Sequence, residues 1–129
     1  MQQCLYLIRY LTESKMNIIS KPDFKIKLLR EASDFIRNLD KETKKHVYLK
    51  LKKAQYENNP RKFSKVRGLI WEFRIPYRNV TFRFYAFWSK KEDSLVIATH
   101  GIIKKSKKAL KKEIEKAEQI MKRYYQKNE

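Results

Sequence analysis

The chain has 129 residues, 42% hydrophobic and 13% aromatic, with 32 lysines and arginines against 14 acids, a net charge of +18 and a pI near 10. That length holds one domain with a real core and excludes two, and the apolar content excludes a disordered basic tail. A folded domain this cationic selects a polyanion, most often nucleic acid, with a merely solvated surface as the bland alternative; no helix combines the broad apolar and basic faces that an anionic membrane needs.

Residues 1–15, MQQCLYLIRYLTESK, hold a short apolar patch without a basic leader or a small-residue cleavage site, which makes a poor signal peptide. Met16 opens a normal start, so residues 1–15 are expected to be a peripheral N-terminal extension before a single domain over 16–129. Cys4 is the only cysteine, which rules out a disulfide framework and fits a reducing cytosol. No run approaches the ~20 apolar residues of a membrane span.

Phe24, Ile26 and Leu28 alternate with lysines and predict a first strand. Leu29, Ala32, Phe35, Ile36 and Leu39 fall at helical spacing. Asp40 caps a second helix over roughly 41–57, with Val47, Leu51 and Ala54 on one stripe, and Asn58-Asn59-Pro60 ends it. A basic loop, RKFSKVRG, offers Lys62, Lys65 and Arg67 to RNA.

The next two runs, LIWEFRIPYRNVTFRFYAFW and LVIATHGIIKK, carry the strongest strand signal. Alternation puts Phe82, Phe84, Ala86 and Trp88 on one face and Arg83, Tyr85 and Phe87 on the other. A four-residue turn over 76–79 would pair Phe73 with Phe82 and Glu72 with Arg83, leaving Arg74 and Arg83 on a common face. Two guanidiniums held on a sheet can grip a phosphate; an ordinary Glu72–Arg83 cross-strand ion pair is the alternative. Residues 89–93 turn into a third strand over 95–103, and a last helix starts near Ser106 with Leu110, Ile114, Ala117, Met121 and Tyr124 inward and a Glu118–Lys122 pair outward. The predicted fold is α+β, β-α-α-β-β-β-α, with two N-terminal helices and a C-terminal helix on a small antiparallel sheet.

No metal-ligand spacing and no cofactor motif is present, and the two glycines cannot build a phosphate-cradling loop. His46 reads as a surface residue, while His100, beside Gly101, is either a structural histidine or a site residue. Lys104, Lys105, Lys107, Lys108, Lys111 and Lys112 crowd into nine positions at the start of a helix, where the macrodipole disfavours cations. Such a conflict marks an anion-binding cluster or a solvated lysine face.

Three segments, Ile70-Trp71-Glu72-Phe73-Arg74, Phe82-Arg83-Phe84-Tyr85 and His100-Gly101-Ile102-Ile103-Lys104-Lys105, resemble the HigB-like, phage-derived branch of the RelE toxin superfamily. Its members show a WELR strand, a YRxxY strand and an HGFxKK segment before a C-terminal helix. The resemblance spans about residues 23–127 and implies a RelE-like fold. It also implies a cytoplasmic toxin of a toxin–antitoxin pair that cuts mRNA on the ribosome, held in check by an acidic helix-turn-helix antitoxin. It assigns Arg74 and Arg83 to the scissile phosphate and Lys105 to the leaving side. His100 or a lysine would stand in for the superfamily's catalytic tyrosine, which has no match here. Lys104, Lys107, Lys108, Lys111 and Lys112 would hold ribosomal RNA. A gyrase-inhibiting, ParE-like toxin and a plain basic RNA-binding module share the same fold or charge.

Overall fold

The computed structural model describes residues 22–104 and 107–129, with backbone alone for 107–109. Its elements are β1 (Lys25–Leu28), α1 (Arg30–Arg37), α2 (Lys41–Ala54), β2 (Phe63–Arg67), β3 (Ile70–Tyr77), β4 (Val80–Trp88), β5 (Leu95–Ile103) and α3 (Lys107–Asn128). The fold is α+β, with one five-stranded sheet in the order β1-β5-β4-β3-β2. The expectation about residues 1–15 falls outside the described residues.

The short elements follow from their residues. The Asp40 carboxylate accepts from the Thr43 amide and hydroxyl, both at 2.9 Å, and starts α2. Val47, Leu51 and Ala54 then point inward and are buried. Gly101 packs where any Cβ would come within 2.5 Å of Phe84 and 2.8 Å of Phe35, so only glycine lets β5 lie this close to α1.

The sheet corrects the sequence reading in three ways. It is mixed, not purely antiparallel, because β1 runs parallel to β5 while the other pairs are antiparallel. The basic segment read as a loop contains a further strand, β2, so the described order is β-α-α-β-β-β-β-α. Finally, the β3–β4 hairpin turns through two residues, since Tyr77 already pairs with Val80. Arg78, at φ 56, takes the left-handed conformation that this turn requires. The shorter turn moves the register: Phe73 faces Phe84, and Arg74 lies directly across from Arg83.

Both faces of the sheet are covered. Phe73, Phe82, Phe84, Ala86, Val96 and Ala98 pack under α1 and α2. On the other face, Ile70, Tyr85, Phe87, Leu95 and Ile97 pack against Ala117 and Met121 of α3. The two faces of β4 are therefore both interior over most of its length. Glu118 of α3 bonds Arg67 at 2.6 Å instead of the expected Lys122, which ties the helix to β2.

Candidate anion-binding site on the central strands

The site forms where β3, β4 and β5 run side by side near the start of α3. Arg74, Arg83 and Ile102 make one row across the three strands, and Glu72, Tyr85 and His100 make the next. Directly opposed residues share a face, so all six project to the α3 side.

Two directly opposed guanidiniums repel each other. Glu72 relieves half of that conflict, because Arg83 Nη1 donates to both of its carboxylate oxygens at 2.8 Å. Glu72 sits across from Tyr85 and reaches Arg83 diagonally. The ion pair is buried, with side-chain exposures of 12% for Arg83 and 4% for Glu72, so it is no solvated surface bridge. One carboxylate balances one guanidinium. Arg74 is half-buried and forms no side-chain hydrogen bond or ion pair among the described residues.

Two further donors point the same way. Arg83 Nε is buried without a hydrogen-bond partner among the described residues, and the Tyr85 hydroxyl, buried beside the Glu72 carboxylate, makes no hydrogen bond of normal length. Burial, and then the Glu72 charge, push the Tyr85 hydroxyl far above the ordinary tyrosine range, so it stays protonated. Orphaned buried donors beside a spare cation suit a bound anion or water.

His100 is 2% exposed. Its Nε2 lies 2.8 Å from Glu113 of α3, and its Nδ1 lies 2.8 Å from the Thr99 hydroxyl. Burial lowers its pKa more than Glu113 raises it, so the ring is neutral near pH 7 and donates from Nε2 to the carboxylate. This bond fixes α3 to β5 at the level of the row next to the arginines.

The remaining sequence candidates divide into three groups. Lys62 pairs with Glu57 at 3.2 Å, and Arg67 with Glu118 at 2.6 Å. Lys65, Lys104, Lys111 and Lys112 are exposed and form no ion pair among the described residues. Lys105 and the side chains of Lys107 and Lys108 lie outside the described residues. Between α2 and β3, a cleft of about 250 Å³ is lined by Leu51, Ala54, Phe73, Ile75 and Pro76 together with His46, Lys50, Lys62 and Arg74. Burial lowers the His46 pKa, and the ring stacks on Tyr77 with its Nε2 3.3 Å from the Pro76 carbonyl.

Sequence reasoning missed Tyr85, Thr99 and Glu113. The signal for Glu113 was present: it is the first acid after a lysine-rich segment. Tyr85 was placed correctly opposite the aromatic face, but nothing local announces that its hydroxyl is buried.

Fold and site together define a small basic α+β protein with two opposed arginines on its central strands. The profile described as phage-derived protein Gp49-like (DUF891) matches residues 34–122, and the chain belongs to that family, which lies within the RelE/HigB-like toxin superfamily. The family points to the toxin of a toxin–antitoxin pair, with an antitoxin as its partner. No curated protein matches the chain. No helix among the described residues is long and apolar enough to cross a membrane.

Proposed function

We propose that this protein is an endoribonuclease toxin that cuts mRNA on translating ribosomes. The observation that carries the reading is the Arg74–Arg83 row, in which only Arg83 has an ion-pair partner among the described residues. Natural sheets avoid directly opposed like charges unless something offsets them, and a phosphate diester supplies one negative charge at the scale of two guanidiniums.

The reaction needs little covalent help from the protein. The RNA 2′-hydroxyl oxygen attacks the adjacent phosphorus as its proton leaves. The bond from phosphorus to the 5′ oxygen breaks, and that oxygen takes up a proton. The products are a 2′,3′-cyclic phosphate and a 5′-hydroxyl end. Arg74 and Arg83 orient the phosphate and neutralise the charge that grows on its oxygens. Glu72 holds the Arg83 guanidinium in place. Lys105 stabilises the leaving oxygen, and Lys104 lies next to it in the chain. His100, buried and bonded at both ring nitrogens, acts as a positioning residue that fixes α3, while Lys107, Lys108, Lys111 and Lys112 on that helix contact ribosomal RNA together with Lys62, Lys65 and Arg67. The antitoxin is an acidic helix-turn-helix protein that covers this basic surface, and its association slows steeply as salt rises.

Induced expression tests the reading. Growth and translation should stop with transcripts cut inside translated regions. Intact transcripts with a DNA-damage response would instead identify a gyrase poison.

A further inference from the structure

A second concave site lies about 16 Å along β4 from Arg83, at the end marked by Trp88. It is a cleft of about 280 Å³, walled by Phe24, Phe63, Trp71 and Trp88 and rimmed by Asp23, Glu57, Asn58 and Asn59. The rings brace one another. Phe63 stacks on Trp71 at 4.9 Å, and Trp88 meets Trp71 edge-on at 5.9 Å and Phe24 at 5.5 Å. Among the described residues no lysine or arginine lines the cleft, on a chain of net charge +18. Glu57 is bridged to Lys62 and Lys53. The Asp23 carboxylate and the Asn58 amide form no hydrogen bond or ion pair among the described residues.

Three properties restrict the ligand. Aromatic walls take a flat partner. A free carboxylate accepts hydrogen bonds, so the partner must carry N–H donors. The field of a strongly cationic chain repels a free guanidinium or ammonium group and draws an anion. A nucleotide meets all three conditions, with a neutral stacking base, an N–H edge and a phosphate for the surrounding lysines.

We infer that this cleft is a nucleobase subsite, which takes an unstacked base of single-stranded RNA and prefers guanine. The N1–H and N2–H of guanine both donate to one carboxylate, whereas uracil offers a single N–H on that edge. Asp23 is therefore the specificity determinant. Lys62 connects this cleft with the one between α2 and β3, because it lines that cleft and pairs with Glu57 on this rim. Trp71 and Arg74 are about 10 Å apart along β3 and project to opposite faces of the sheet, so a strand that meets both this cleft and the arginine row passes around the β2 edge. The choice of RNA as the source of the base rests on the ribonuclease reading; base binding itself needs no cleavage.

The chain's two tryptophans both wall this cleft, so tryptophan fluorescence of the full chain reports its occupancy. Titration with 5′-GMP should quench saturably, with a Kd roughly tenfold below that of 5′-UMP. Asp23→Asn should bring the two nucleotides within about twofold and leave the quench amplitude and Tm unchanged. No saturable quenching by any nucleotide, or an undiminished GMP preference in Asp23→Asn, overturns the inference. Quenching by arginine amide but by no nucleotide overturns it too and assigns the cleft to a cationic protein side chain. A GMP preference in a protein that leaves cellular mRNA intact sustains the subsite and sinks the ribonuclease reading. Cut mRNA without any quenching does the reverse.

Discussion

Arg83 should be far harder to remove than a surface arginine. Its guanidinium bonds Glu72 in a pair with 12% and 4% side-chain exposure, so Arg83→Ala strands a carboxylate in the interior beside Tyr85. Breaking a buried pair by deleting one partner costs about 3–5 kcal/mol. For a chain of this length, each kcal/mol shifts Tm by roughly 3–5 °C, so the fall should be about 10–25 °C. Glu72→Gln should cost as much, because it leaves the buried Arg83 guanidinium without its ion-pair partner. Glu72→Gln combined with Arg83→Met should recover most of the loss, with a coupling of about 2–3 kcal/mol. Urea unfolding of the four proteins at constant m-value measures the cycle. Single variants that each cost under about 1 kcal/mol and add independently would refute the buried ion pair. A consequence for activity assays is that a dead Arg83→Ala protein says nothing about catalysis unless its folding is verified.

Tyr85→Phe removes a buried hydroxyl that lies beside the Glu72 carboxylate without a hydrogen bond of normal length among the described residues, so stability in urea unfolding should change by less than about 1 kcal/mol; a loss of about 2 kcal/mol or more would show that Tyr85 donates to Glu72 in solution. His100 is held neutral below its ordinary pKa of 6.5, so the unfolded chain binds more protons as pH falls below about 6.5, and stability should drop there. In His100→Gln that segment of the pH–Tm curve should flatten to the slope left by His46, whose pKa burial also lowers, and an unchanged slope would exclude His100 as a source. Replacing Lys104, Lys111 and Lys112 with glutamine should lower the salt slope of ribosome binding by about 2–3 units while Tm stays put; an unchanged slope would remove them from the RNA contact.

Much of the scaffold was legible because it is local. Asp40 announces α2 through a cap, and the stripes of α1 and α2 repeat at helical spacing. β2 was hidden because only Phe63 packs inward, and the other residues of FSKVR form a charged edge without a buried face. The turn was misplaced because Pro76 reads as a breaker. It sits inside β3 past the end of β2, where one edge of the strand has no neighbour and the missing N–H costs no ladder bond. The parallel pairing of β1 with β5 joins residues about 70 positions apart and leaves no local trace.

The arginine row was foreseen from alternation alone, since a two-residue shift in register keeps Arg74 and Arg83 on one face. The burial of their surroundings was not. Tyr85 and Phe87 look like the exposed side of a two-faced strand until α3, brought back from the far end of the chain, covers them.

The central claim is tested most directly by Arg74→Ala, because Arg74 is half-buried and carries no ion pair whose loss would unfold the protein. The measurement is single-turnover cleavage of mRNA on translating ribosomes, read as new 5′-hydroxyl ends. The wild type should produce such ends, and Arg74→Ala should produce them about 10²–10³-fold more slowly with Tm within roughly 2 °C. Cleavage by Arg74→Ala within threefold of the wild type would contradict the assignment of the arginine row to the scissile phosphate.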